Sequence, residues 1–294
     1  MRPLLRWTVA LVLVIGAAGW AVTGTSAPPD DYAALTGDAE AGRVTFALAG
    51  CASCHVDPEA DHSDRPVLSG GRRFASDFGV FVAPNISPSP QGIGDWTDTE
   101  IMHAIHDGVS PTGAHYYPAF PYGSYNRAEP QDLADLVAFL RTLPPSDAAS
   151  APHEVSFPFS IRRAVGAWKL LFLSDEPILT DPATDQIARG RYLVEGLGHC
   201  GECHTPRNAL GGLDHDNWLA GAENPGGEGR IPNITPGALN WSEADIVAYL
   251  DSGFTPEFDV AGGEMADVVL NTAQLSDEDR AAIAAYLKAV PAID

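Results

Sequence analysis

The chain has 294 residues, 45% of them hydrophobic, which is enough for two ordinary domains that each bury a core. Its 29 glycines and 24 prolines point to a large share of loop. With 39 acidic against 17 basic residues the formal net charge is −22, which disfavours nucleic acid and suits a soluble partner with a basic docking face.

The first predicted element is hydrophobic. Arg2 and Arg6 precede an uncharged run from Trp7 to Gly24. As a helix this run reaches about 27 Å, close to the hydrocarbon core of a bilayer. Positive charge before the run and acid after it place the N-terminus in the cytoplasm and the remainder in the periplasm. Residues 1–24 are therefore read as a single-pass anchor in the inner membrane. A cleaved signal peptide is the alternative, although its best small-residue site, Thr25 to Ala27, is followed by Pro28. Residues 25–37 form a polar linker.

A helix is expected to start at Asp38, a plausible N-cap, and to carry Val44, Phe46 and Leu48 toward "CASCH" at 51–55. Far downstream, "DQIARGRYLVEGLGH" leads into "CGECH" at 200–204, with one more residue between its "GR" and the box. The match continues. "APNISP" (83–88) answers "IPNITP" (231–236), and "DWTDTEIMHAIHDG" (95–108) answers "NWSEADIVAYLDSG" (240–253). "PQDLADLVAFLRTLPP" (130–145) answers "SDEDRAAIAAYLKAVPA" (276–292), each an amphipathic helix ended by proline. Paired segments keep offsets of 145 to 149, so two copies of one all-α domain are predicted, at 38–145 and 184–294. Between them, 146–183 contains a helical stretch with Ile161, Val165, Trp168 and Phe172 on one side, read as a strap across the domains. A partner-docking helix is the other reading.

The two boxes use all four cysteines. C-x-x-C-H is the attachment signal of a c-type haem. Cys51 and Cys54, and Cys200 and Cys203, suit two thioether bonds each, with His55 and His204 set beneath the iron. Zinc would need four ligands gathered in one place, and these boxes stand about 145 residues apart. A redox dithiol belongs in a βαβ setting, and two disulfides would not require a histidine at the same position of each box. Two covalently bound haem c groups are expected.

On "CASCH", "APNISP…GIGDWTDTEI", "YYPAFPYGSY", "GLGHCGECHTPRNALGG", "IPNITP" and "DLADLVAFLRTLPP", the chain resembles dihaem members of the class I cytochrome c superfamily. It is similar to the cytochrome subunits of bacterial membrane-bound alcohol, gluconate and aldehyde dehydrogenases. Those subunits usually carry three haems, and this chain has two boxes. The resemblance implies helices and long loops around each haem, and electron transfer from a periplasmic dehydrogenase to an oxidase or another cytochrome.

It also implies a methionine thioether as sixth iron ligand. Met265 holds that place in the second copy, 24 residues after Trp241, and the same count from Trp96 reaches Phe120, which cannot coordinate iron. His115 is the best substitute for the first haem. An open or water-bound iron, or ligation by Tyr116, Tyr117 or Tyr122, are the alternatives. Met102 is assigned to core packing. His103 and His106 are assigned to a solvated face, and His62, His153 and His215 to the surface. Unequal ligation predicts unequal potentials, with the second haem higher and electrons passing from copy one to copy two. The carbonyl of Pro206 is expected to orient His204 and that of Pro58 to orient His55. Trp96, Trp241, Asn85 and Asn233 are read either as lining the haem edges or as plain loop packing.

No nucleotide loop, nucleophile elbow or catalytic carboxylate pair is present, so an electron carrier leads. A haem enzyme reducing peroxide or oxidising sulfur compounds at the first iron is second, and a gas sensor third.

Overall fold

The computed structural model describes residues 3–60, 65–225 and 229–294, so His62 lies outside it. Helix α1, Pro3–Val22, comes first. Its uncharged part, Trp7 to Val22, reaches only about 24 Å, short of a ~30 Å hydrocarbon core. Among the described residues no helix is long and apolar enough to cross a membrane, so the expected transmembrane helix is not supported.

The first half holds α2 (Ala39–Leu48), α3 (Cys51–His55), α4 (Asp98–Asp107), α5 (Tyr122–Tyr125) and α6 (Pro130–Leu140). Then come α7 (Ala164–Phe172) in the connecting segment and α8 (Asp185–Arg191), α9 (Gly201–His204), α10 (Glu243–Ser252), α11 (Glu264–Thr272) and α12 (Asp277–Ala289) in the second half. Strands are few and short: β1 (Arg73–Ser76), β2 (Gly79–Val82) and β3 (Glu154–Val155) form one antiparallel sheet, β4 (Ala222–Glu223) and β5 (Arg230–Ile231) another. The protein is mostly helical, as expected.

Local chemistry sets the helix ends. Asp38 accepts hydrogen bonds from the Glu40 and Ala41 amides and caps α2. Thr97 with Glu100, and Ser242 with Asp245, form capping boxes at the starts of α4 and α10. Gly108 and Gly253 close the same two helices with φ of 60° and 75°.

In each half the helix that leads into the box crosses the last helix at a glycine. A Cβ on Gly42 of α2 would sit 1.8 Å from the Asp135 carbonyl oxygen of α6, and one on Gly190 of α8 would sit 1.9 Å from that of Ala282 on α12. The extra residue before the second box is absorbed by a π turn, Tyr192–Leu197, within which Gly196 departs from helical geometry (φ −100°, ψ −111°). Inside that turn Glu195 is fully buried. It accepts hydrogen bonds from the Ile178 and Leu179 amides and from the Tyr286 hydroxyl, so both of its oxygens are partnered.

The connecting segment packs against both halves. Lys169 donates to the carbonyls of Asp107 and Gly108 at the end of α4, and Val165 joins Phe81 and Tyr117 in a small cluster. On the other side Trp168 donates to the Leu210 carbonyl at 2.8 Å, and the Phe172 ring lies over Gly212.

Candidate haem sites

Each box is a single helical turn, so its two cysteines, three residues apart, share one face. None of the four cysteines is joined to another, which leaves the disulfide reading without support. Burial pushes the Cys51 and Cys200 thiols up to about 12 and that of Cys54 to about 11. A reactive redox dithiol needs the opposite, a stabilised thiolate. Among the described residues no group of three or more His, Cys, Asp or Glu side chains is placed to hold a metal ion, which disfavours zinc.

The histidines are held by carbonyls from elsewhere in the chain. His55 Nδ1 donates to the Pro84 carbonyl at 2.9 Å, and His204 Nδ1 to that of Pro232 at 2.8 Å. These are the prolines of the two "PNI" loops, so the expected donors' partners Pro58 and Pro206 are corrected. The carbonyl of a residue two or three positions after the box lies beyond the end of the turn, whereas the folded-back loop passes alongside the ring. With Nδ1 bonded in this way, Nε2 is the nitrogen left for iron. Burial holds both imidazoles below their usual pKa, which keeps Nε2 unprotonated at neutral pH.

The same support is built twice. The amides of Gly70 and Gly221, at φ of 76° and 83°, donate to the carbonyls of His55 and His204, each at 2.7 Å. The amides of Ile86 and Ile234 donate to the carbonyls of Leu68 and Leu219, each at 3.0 Å, beneath side chains with no exposure. Asn85 and Asn233 turn their own loops by accepting from the amides of Ser87 and Thr235, each at 2.8 Å. Their amide groups tie the loops to Ser146 and Ala148 in one half and to Ile293 in the other. Loop fixing is thus the observed role of these asparagines. Trp96 and Trp241 are half-buried against the core, and Trp241 packs edge-on to Tyr249.

The boxes also meet across the two halves. Ser53, third in the first box, accepts from Asn271 Nδ2 of α11 at 3.0 Å. Glu202, third in the second box, accepts from Ser124 Oγ of α5 at 3.1 Å. Ser124 and Asn271 each stand five residues before the N-cap of the last helix of their half, Glu129 and Ser276. Each box therefore touches the corresponding distal segment of the other half, a reciprocal, pseudo-twofold pair of contacts. Arg72 reaches across to Asp267 at 3.2 Å. His199, with its edge against Tyr125 and its ring beside Gly50, fills the seam.

The remaining candidates are dispersed. Met265 is half-buried near the start of α11. His115 is buried, and its Nε2 bonds the Thr23 carbonyl at 3.0 Å. Met102 is in the core, as expected. His103, expected on a solvated face, is only 3% exposed. It is bonded to Asp107 and to the Ser26 carbonyl because the linker folds over that face. His106 is half-buried against Tyr32 and Asp107. His153 is half-buried and accepts from the Val82 amide, while His215 is exposed.

Two thiols and one carbonyl-oriented imidazole, repeated in one helical turn each, fit the donor set of a covalently attached porphyrin iron. The cytochrome c family profile matches residues 39–144. A dihaem cytochrome c-type protein of Cereibacter sphaeroides is 57% identical over 296 residues, covering all of both chains. The chain belongs to the cytochrome c family. Further relatives are the fructose dehydrogenase cytochrome subunit of Gluconobacter japonicus, 38% identical over 99% of this chain and 60% of its own length, and a quinone alcohol dehydrogenase cytochrome c subunit of Gluconobacter oxydans, 35% identical over 86% of this chain and 54% of its own. This cytochrome spans a little over half the length of those two subunits. As a member of that family it carries covalently bound haem and transfers electrons.

Proposed function

We propose that the chain is a dihaem electron relay at the periplasmic face of the cytoplasmic membrane, passing electrons from a periplasmic dehydrogenase to a respiratory acceptor. The observation that carries this reading is the paired architecture: two boxes with the same thiol, imidazole and loop-carbonyl geometry, each contacting the other half through its third residue. One haem would be held by Cys51, Cys54 and His55, the other by Cys200, Cys203, His204 and Met265. The contacts of each box with the other half support electron passage between the haems. Thioether ligation at the second haem alone would make it the stronger oxidant, so electrons would leave from there.

The exit face fits such a role. Phe254 is 54% exposed, Phe258 88% and Val260 61%, with the exposed acids Glu257, Asp259 and Glu264 around them. An acceptor with a basic rim and an apolar centre complements this surface. Location at the membrane draws support from Arg2 and Arg6 ahead of the uncharged stretch Trp7 to Val22 of α1, whose side chains are exposed.

The test is chemical. The unfolded, acid-extracted chain should carry the mass of two haems, and a redox titration should resolve two midpoints. A chain weighing no more than its amino acids refutes the reading. Fractionation of cells should place the protein with the inner membrane and open to protease from the periplasmic side.

A further inference from the structure

The backbone fixes how the distal loops of the two halves correspond. Val109 bridges His115 in the first, and Phe254 bridges Val260 in the second. The next amides, of Tyr116 and Ala261, donate to the carbonyls of Gly108 and Gly253, each at 2.8 Å. These glycines cap α4 and α10 in the same left-handed conformation. The correspondence therefore holds residue for residue up to Tyr116 and Ala261. Four residues further on stand Phe120 and Met265.

This correspondence makes Val260 the counterpart of His115, and Val260 lies on the outside of its loop, 61% exposed. The outer face is covered in the first half by the connecting segment and by residues 23–26. His115 Nε2 bonds the Thr23 carbonyl, Thr25 donates to the Gly113 carbonyl, and a Cβ on Gly166 of α7 would come within 2.8 Å of His115 Nε2. The imidazole is thus enclosed between α7 and the linker, with Nε2 paired there and Nδ1 buried without a partner.

The place of the thioether is taken by an aromatic wall. Phe120 packs edge-on against Tyr116, Tyr122 and Tyr125 at 6.0, 6.4 and 5.8 Å between ring centres. Tyr125 in turn donates to the Ala49 carbonyl, two residues before Cys51, so the wall reaches the first box. The Tyr117 hydroxyl is bonded to the Phe159 carbonyl. Burial raises the Tyr116 phenol to about 12 and pushes that of Tyr122 up as well, against the phenolate that iron prefers. His103 is bonded through both ring nitrogens, and His106 faces Asp107.

We propose that His55 is the sole protein ligand of the first haem iron and that the position beside Phe120 takes a neutral diatomic π-acceptor, such as carbon monoxide or nitric oxide, in the ferrous state. Phe120 itself offers an incoming ligand neither a hydrogen bond nor a charge, and ferrous iron takes π-acceptors, so an apolar diatomic meets no opposition from that ring. The inference rests on covalent haem at both boxes. A count of two haems per chain by alkaline pyridine absorption tests that premise separately.

The experiment uses the reduced, full-length holoprotein titrated with carbon monoxide and followed by absorption. Half-stoichiometric binding, one per two haems, is expected. His115→Val, which installs the residue of the second half, should leave the stoichiometry at one half. Phe120→Met should abolish binding and, in the oxidised protein, convert the first haem from high-spin to low-spin by electron paramagnetic resonance. Two haems per chain with no carbon monoxide bound by the wild type overturns the proposal, as does a site that opens only in His115→Val.

Discussion

Gly70 offers a way to move one proximal carbonyl and leave the other in place. A Cβ there would lie 2.5 Å from the Ala83 oxygen and the Pro84 carbonyl carbon and 2.6 Å from the Pro84 oxygen that receives His55 Nδ1. All three are backbone atoms, so Gly70→Ala must push the loop away by about 0.8 Å to reach ordinary contact near 3.4 Å. Along the bond this takes 2.9 Å to about 3.7 Å, beyond hydrogen-bond range. The φ of 76° adds about 1–2 kcal/mol of strain for any residue with a Cβ. A hydrogen bond worth ~0.5–1.5 kcal/mol, which makes the imidazole a stronger donor to ferric iron, is then lost. At 59 mV per tenfold for one electron, the first haem's potential should rise by roughly 20–60 mV. Gly221→Ala, with its Cβ 2.7 Å from the Ile231 oxygen, should raise the second haem instead. Gly71→Ala is the control: φ is 100° but nothing lies within 4 Å, so it carries strain without displacement. Potentiometric titration of the three variants checks this. Equal shifts in Gly70→Ala and Gly71→Ala, or movement of the wrong haem, would refute the reasoning.

Gly190→Ala should lower stability by about 2 kcal/mol, several degrees in Tm, because the α12 backbone stands 1.9 Å from the new methyl group. Gly19→Ala, with nothing within 4 Å, should not, and far-UV circular dichroism on heating compares them. Burial brings the Lys169 ammonium down to about 8. Between pH 8 and the ordinary lysine range near 10.4 the unfolded chain holds more protons, so stability rises with pH there. The difference between wild type and Lys169→Met should move toward the wild type over that window in urea titrations, and a flat difference would count against it. Asn271→Ala cuts the link between the first box and the other half. It should slow electron equilibration between the haems after flash reduction while leaving each midpoint unchanged.

Much of the site was readable along the chain because haem attachment is local. Cysteines three residues apart and a following histidine share one helical turn whatever surrounds them, and repeated segments disclose the second copy. The caps at Asp38, Thr97 and Ser242 are equally local. What holds each imidazole is not: Pro84 and Pro232 lie 29 and 28 residues from their histidines, and only the folded-back loop brings them near. The "PNI" repeat marked those loops without telling which group they serve. His103 reads as solvated on its own helix, and it is buried because a linker some 77 residues away crosses that face. The pseudo-twofold contacts of Ser53 with Asn271 and Ser124 with Glu202 join residues 218 and 78 apart, with no periodicity to announce them. Sequence alone thus determined which side chains share one helical turn as candidate porphyrin ligands, since that depends on spacing within a turn. Tertiary structure decided what orients them, what encloses His115 and how the two boxes meet, since those depend on which distant surfaces exclude water together.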